Sequence, residues 1–445
     1  MFETMHIKRH LSSFQIIIIG FALVILIGAF LLMLPISTKD HVFTPFNVSL
    51  FTSVSSVCVT GLAIVDTATY WSIFGQIIIL LLIQVGGLGV ITIISAFVLL
   101  SGKKFSLRQR NTFQESIAAD KLSGLVKLIK FVIRTTLIIE LVGALVMLPV
   151  FVSDHGLDGI WMAIFHSISA FCNAGFDIMG TKDNQFQSLT SYSSNWIINL
   201  TIMLLIFIGG IGFLAWDDFK TNKFKFKKYR MQSKVILVTT FLLIIIPSIF
   251  FYFVDFYKLP VYEGILNALF QAITPRTAGF NTVDLNSMSE ASQGVMIVLM
   301  LIGGSPGSTA GGLKTTTLAI LLLNAFSVFR RNENVEAFGR RVDTSVINNA
   351  STILLLYVVL FFGGATIISV VENLPLKECL FETASAVGTV GLSLGITTEL
   401  GIVSQLILMI LMFLGRVGGL TIIYATLTPK NKNISKLPIE KITVG

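Results

Sequence analysis

Four short stretches of the chain end on a glycine preceded by small, apolar or hydroxyl-bearing residues: Cys58-Val59-Thr60-Gly61, Cys172-Asn173-Ala174-Gly175, Thr277-Ala278-Gly279 and Thr389-Val390-Gly391. Their chemistry is that of the backbone. Carbonyl oxygens turned to one side can replace a cation's hydration shell, and glycine reaches the conformations this requires. None of the four stretches holds a carboxylate, which argues against the acidic ring of a calcium-type pore. Carboxylates follow nearby: Asp66, Asp177, Asp284 and Glu399. These read equally as charges that concentrate cations at a mouth and as solvated surface.

A second cluster is Gly303-Gly304-Ser305-Pro306-Gly307-Ser308-Thr309-Ala310-Gly311-Gly312, followed by Lys314. Glycine-rich and carrying a proline, it cannot continue a helix. Gly307 to Lys314 imitates a phosphate-binding loop, but the spacing is one residue too long and no strand precedes it. Arg416 falls in the middle of an apolar stretch, where arginine costs about 2.5 to 3.5 kcal/mol unless hydrated or paired. Facing inward, its five donors can hold carbonyls or hydroxyls of Ser305 to Thr309 and close a path beneath the glycines. Snorkelling to the cytoplasmic interface is the alternative. Arg276, three residues before Gly279, would oppose a cation if it pointed inward. It is expected to brace the loop from behind, with Glu263 or Glu382 as its partner. Cys58, Cys172 and Cys379 have no C-x-x-C spacing, so neither a disulfide framework nor a zinc site is supported. Cys58 and Cys172 read as small packing residues rather than redox groups.

What positions these residues is a membrane. Of 445 residues 54% are hydrophobic and 13% charged, too apolar for a soluble, secreted disulfide-built or disordered chain. Apolar segments at about 14 to 35, 73 to 100, 125 to 152, 196 to 216, 235 to 254, 294 to 325, 346 to 371 and 402 to 427 each suffice to cross a core of about 30 Å at 1.5 Å per residue. Between the members of each pair lies a shorter apolar segment: Asn47 to Cys58, Ile160 to Cys172, Tyr262 to Thr274 and Leu376 to Val387. These cannot span and read as re-entrant half-helices. Of the 32 basic residues, 25 fall on one side of this arrangement, which places both termini in the cytoplasm and needs no nucleic acid to explain the net charge of +8. The polar stretch Met1 to His10 precedes a retained first span rather than a cleaved signal.

Aligned on their glycines, the four short segments each carry a phenylalanine nine or ten positions earlier (Phe51, Phe165, Phe270, Phe381) and a bulky apolar residue just after. The second span of each pair carries a glycine cluster: Gly86-Gly87-Leu88-Gly89, Gly209-Gly210-Ile211-Gly212, Gly303-Gly304, and Gly415 with Gly418-Gly419. Taken singly, such clusters pack helices closely. Their recurrence makes four homologous units: repeat 1 over 13–100, repeat 2 over 125–216, repeat 3 over 235–325 and repeat 4 over 346–427, between a cytoplasmic N-terminus (1–12) and a cytoplasmic tail (428–445). The fold class is therefore an all-α polytopic membrane protein with four span–half-helix–span repeats, pseudo-fourfold around a central pore as in a potassium channel. Same-way repeats fit around an axis along the membrane normal. Each half-helix aims its negative C-terminal end at the membrane centre, which favours a cation there.

On the fourfold Gly61, Gly175, Gly279 and Gly391, the segment Thr274-Pro275-Arg276-Thr277-Ala278-Gly279-Phe280 and the run Gly303 to Lys314, the sequence resembles the Trk/Ktr/HKT superfamily of potassium transporters over essentially its whole length, most closely the bacterial KtrB membrane-subunit branch. The resemblance implies potassium uptake through the pore of each subunit. It implies a homodimer, and an octameric cytoplasmic nucleotide-binding regulatory ring. Glycine at all four filter positions goes with potassium preference in that superfamily, and the loop Gly304 to Gly312 with Lys314 and Arg416 is the implied gate. Potassium is then the transported ion and sodium a candidate activator. No covalent cofactor is expected, and no nucleophile, general-base pair or metal-ligand cluster suggests an enzyme. The segments 217 to 234 and 326 to 345 suit either a docked ring or anionic lipid. The competing reading is an alternating-access transporter for a small solute, which also uses broken helices at the midplane.

Overall fold

The computed structural model describes residues 12–90, 92–93, 125–419 and 421. The N-terminal stretch, the basic run from Lys103 to Lys121 and the tail from 428 onward lie outside the described residues.

The first span of each repeat is one long helix: Ser13–Met33, Leu125–His155, Met231–Phe251, which runs on as a wider π turn to Phe256, and Thr344–Glu372. All are apolar and long enough to cross a membrane. Ile, Leu, Val and Phe cover them nearly all round, and in hydrocarbon a helix alone satisfies the backbone's own donors and acceptors. Ser12 starts the first with a reciprocal cap, its hydroxyl accepting from Gln15 N at 3.2 Å while Gln15 Oε1 accepts from Ser12 N at 3.0 Å.

The short segments are helices too: Phe46–Cys58, Asp158–Phe171, Val261–Ile273 and Leu376–Gly388, each within two residues of the sequence expectation. Proline precedes three of them, at Pro45, Pro260 and Pro375, where its missing N–H costs nothing. The marker phenylalanines Phe51, Phe165, Phe270 and Phe381 are fully buried in a single core that joins all four repeats. At the outer ends of repeats 3 and 4, the first span caps the second: Asp255 accepts from Ser289 N at 2.9 Å and Glu372 from Gly401 N at 3.0 Å.

The second spans depart from expectation. Sequence reading makes only the third discontinuous, whereas all four break at their glycines. Ile73–Leu88 stops at Gly89 (φ 87°), Trp196–Gly210 turns by 96° through Gly212 (φ 92°) into Phe213–Asn222, and Ile402–Val417 stops at Gly418 (φ 89°). In repeat 3 the pieces Glu290–Leu301 and Thr315–Phe329 flank an irregular loop. The cause is two glycines with different duties. A methyl on Gly86, Gly209 or Gly415 would sit 2.0, 2.0 or 2.2 Å from the carbonyl oxygen of Val57, Phe171 or Val387, so the helix is pressed onto the end of its half-helix there. Three residues later the next glycine adopts a left-handed φ and ends the helix. Close packing also explains Gly87, where a methyl would sit 2.7 Å from Cys172 Sγ, but it does not explain the left-handed φ of Gly89, Gly212 and Gly418.

Candidate ion pathway

Beyond each half-helix the chain runs through three residues with φ of alternating sign. Val59 (57°) and Gly61 (91°), Asn173 (59°) and Gly175 (66°), Thr277 (72°) and Gly279 (82°), and Thr389 (53°) and Gly391 (97°) are left-handed. The intervening Thr60, Ala174, Ala278 and Val390 are not. Alternating handedness turns successive carbonyls to the same side, which four non-glycine residues reach only at a cost in strain.

The four stretches close a ring in chain order. A methyl on Gly61 would lie 2.5 Å from Ala174 O, one on Gly175 2.8 Å from Ala278 O, one on Gly279 2.2 Å from Val390 O, and one on Gly391 2.2 Å from Thr60 O. Each glycine thus abuts the carbonyl that precedes the next repeat's glycine. No side chain fits between neighbours.

A hydroxyl at the same place in each half-helix braces the ring. Ser55 Oγ accepts from Gly61 N at 3.1 Å and Ser385 Oγ from Gly391 N at 3.0 Å. Ser169 Oγ donates to Phe176 O at 2.7 Å, and Thr274 Oγ1 donates to Phe280 O. These four residues are absent from the sequence-based site, although the aligned segments hold Ser, Ser, Thr and Ser at that position. Removing the Ser385 hydroxyl takes the partner from the part-buried Gly391 N–H, a loss of about 0.5 to 1.5 kcal/mol. Ser385→Ala is expected to weaken discrimination between rubidium and sodium about three- to tenfold in vesicle uptake, and Ser385→Thr to preserve it.

On the external side the ring opens into a vestibule of about 260 Å³ lined by Gly61, Gly175, Gly279 and Gly391, with Asp66, Asp177 and Asp284 in its wall. Asp66 is committed to the fold: it is buried, and its carboxylate accepts from Thr69 N at 2.8 Å and Phe186 N at 2.9 Å. Asp284 is exposed and caps a short turn through Asn286 N at 3.0 Å. Glu399 is exposed and outside the vestibule lining.

On the cytoplasmic side of the ring, the loop between the two pieces of the third second span is threaded through the ends of the other broken helices. A broken helix leaves its last carbonyls unsatisfied. Gly209 O accepts from Thr309 N at 3.2 Å, Gly210 O from Ser305 N at 3.0 Å, and Gly415 O from Gly312 N at 3.3 Å. In return Gly307 O accepts from Phe213 N at 2.7 Å, and Pro306 O lies against Gly212. Thr309 Oγ1 reaches Phe171 O at 3.1 Å and Asn173 Oδ1 at 3.2 Å, while Gly311 lies against the Thr389 side chain so closely that a methyl would overlap it. Within the loop, Ser308 Oγ donates to Ser305 O at 2.7 Å, and Gly304 packs on Ala310. Lys314 Nζ donates to Ala310 O at 2.8 Å and Gly311 O at 3.2 Å. Arg416 bridges three repeats, donating to Thr309 O, Gly86 O and, at 2.9 Å, Gly87 O.

Arg276 does lie behind the ring, buried among Asn173, Ile206, Gly210, Ile244 and Gly304, but without a carboxylate. Its Nη2 donates to Thr240 Oγ1 at 3.4 Å; Glu263 instead accepts from Tyr262, and Glu382 from Ser393 and Thr397. The space is closed by the first span of repeat 3, which carries a hydroxyl there and no acid. The three cysteines are free and buried, and Cys172 packs on Gly87.

A family model described as TrkH, cation transport protein, matches residues 4–436. The chain belongs to the TrkH cation transport family. It is 37% identical to the potassium/sodium uptake protein NtpJ of Enterococcus hirae over 99% of this chain and 98% of that one. It is 36% identical to the Ktr system potassium uptake protein B of Bacillus subtilis, covering 94% of each. The crystal structure of the potassium transporter TrkH from Vibrio parahaemolyticus shares the fold, with a TM-score of 0.73 at 18% identity over 95% of this chain and 86% of that one. As a TrkH-family protein the chain is a multi-pass membrane transport protein and not an enzyme.

Proposed function

We propose that this TrkH-family chain is a potassium uptake subunit that conducts K+ down its electrochemical gradient through the ring Cys58–Gly61, Cys172–Gly175, Thr277–Gly279 and Thr389–Gly391. One observation carries the reading: four glycines of alternating-φ stretches meet in a closed ring that contains no carboxylate. An uncharged carbonyl ring suits a weakly hydrated monovalent cation, and the half-helix C-termini supply the compensating negative field. The names of the Enterococcus and Bacillus relatives point the same way, and the former names sodium beside potassium as an ion taken up. The loop Gly304–Gly312 with Lys314 and Arg416 is the gate of this proposal. In this proposal, as the Ktr resemblance implies, two copies form the transporter and a soluble nucleotide-binding ring on the cytoplasmic face controls the loop and supplies any nucleotide sensitivity.

Rubidium uptake into proteoliposomes with sodium competition tests the reading. Uptake driven by the potassium gradient, resisted only weakly by sodium, is the expected result. Saturable uptake of an organic solute without cation permeation would establish the alternating-access alternative instead.

A further inference from the structure

The first span of repeat 2 carries a carboxylate inside the membrane, away from the proposed ion path. Glu140 is 5% exposed; its Oε2 accepts from Gln84 Nε2 at 3.2 Å, and its Oε1 has no partner among the described residues. Helix packing does not require an acid there. In repeat 2 the half-helix ties itself to the first span by Ser167 Oγ donating to Glu140 O at 2.6 Å, and in repeat 1 the same bond runs from Ser53 Oγ to Ile25 O at 2.6 Å. An isoleucine serves that turn in repeat 1. A buried carboxyl kept at a comparable turn in repeat 2 has its distinguishing partner in Gln84, and an ionisable group in hydrocarbon is costly enough to mark a function.

Gln84 leads from Glu140 to the ring. Its Oε1 accepts from Cys172 Sγ at 3.5 Å, the residue at which the repeat 2 stretch begins. Next comes left-handed Asn173, whose amide donates to Thr277 Oγ1 at 3.2 Å and whose Oδ1 accepts from Thr309 at 3.2 Å. Gln84 also stands two residues before Gly86, one of the carbonyls that hold Arg416. The pair therefore fastens the point where the strained repeat 2 stretch, the end of the repeat 1 second span and the glycine loop meet.

We infer that Gln84 and Glu140 are positioning residues for ion discrimination, holding the Cys172–Asn173 end of the ring through a relay from an outer membrane helix. This rests on the ring being the ion-selective element. In proteoliposomes, Glu140→Ala and Gln84→Leu are each expected to strengthen sodium competition with rubidium about threefold or more, while Glu140→Gln, which retains an acceptor for Gln84, stays within about twofold of the parent. The double variant Glu140→Ala/Gln84→Leu is expected to be no worse than either single one, because both cut the same relay. Maleimide labelling of Cys172, located by mass spectrometry, is expected to rise in Gln84→Leu and not in Glu140→Gln. If the parent protein takes up no rubidium, the pore reading fails, and the Cys172 labelling still decides the relay. Unchanged competition and unchanged labelling in folded Gln84→Leu would overturn the inference, as would Glu140→Gln behaving like Glu140→Ala. Should Glu140→Ala not fold, the contrast between Gln84→Leu and Glu140→Gln decides the relay, and equal competition and labelling in those two would overturn it.

Discussion

Gly391→Ser and Gly279→Ser are expected to reduce rubidium uptake about tenfold or more and to abolish its preference over sodium. Two costs coincide at these positions. A side chain at φ 97° or 82° takes on left-handed strain of about 1 to 2 kcal/mol. Its Cβ would also stand 2.2 Å from Thr60 O or Val390 O, and those oxygens belong to the ring itself, so the clash moves the carbonyls that would coordinate the ion. A misplacement worth about 1.4 kcal/mol is already tenfold. The series is graded: Gly61, with 2.5 Å to Ala174 O, is expected to lose less, and Gly175, with 2.8 Å to Ala278 O and the smallest φ of the four, least. Gly156→Ala separates strain from contact, because that glycine has φ 62° with no atom within 4 Å of an added methyl. Uptake there should stay within about twofold of the parent. Parent-like uptake and sodium competition in correctly folded Gly391→Ser would remove the ring from the ion path.

The extent to which this arrangement is legible in the sequence follows from which forces act locally. Spans and half-helices are written in hydropathy because a bilayer leaves the backbone so few options, and the four glycines emerge because the unit is repeated. The hydroxyls of Ser55, Ser169, Thr274 and Ser385 are equally visible in that alignment, but a serine in a helix has many uses, and only the fold shows that all four face the ring. The helix breaks are harder. Gly86 and Gly89 are the same residue type three positions apart, yet one accepts a close neighbour and the other a left-handed φ, a distinction made by tertiary packing. Arg276 and Asp66 mislead for a related reason. Charge complementarity suggests a carboxylate for the one and a solvated mouth for the other, whereas Arg276 meets the hydroxyl of Thr240 and Asp66 is spent on backbone donors at Thr69 and Phe186.

Arg416→Ala is expected to raise potassium flux several-fold, by two mechanisms that can be separated. At the break of the repeat 1 helix the guanidinium joins the carbonyls of Gly86, which also accepts from Gly89 N at 3.2 Å, and Gly87 to Thr309 O across the proposed path, so one side chain ties repeat 4 to repeat 1 and to the loop. Hydrogen bonds from a charged donor contribute about 1.5 to 3 kcal/mol each, more than the neutral bonds that also fasten the loop, from the backbone at Gly209, Gly210, Phe213 and Gly415 and from the Thr309 hydroxyl. The same group places a full positive charge beneath the ring, a barrier to any cation that has passed it. Arg416→Lys keeps the charge but not the planar fork that reaches three oxygens at once. Flux in Arg416→Lys that rises as far as in Arg416→Ala would make the tether the dominant restraint; flux that stays at the parent level would make it the charge. Shortening the loop by removing Gly307 and Ser308 loosens the tether without touching the charge, and is expected to resemble Arg416→Ala only in the first case. If neither Arg416→Ala nor the shortened loop changes flux through folded protein, the loop and the arginine do not close the path.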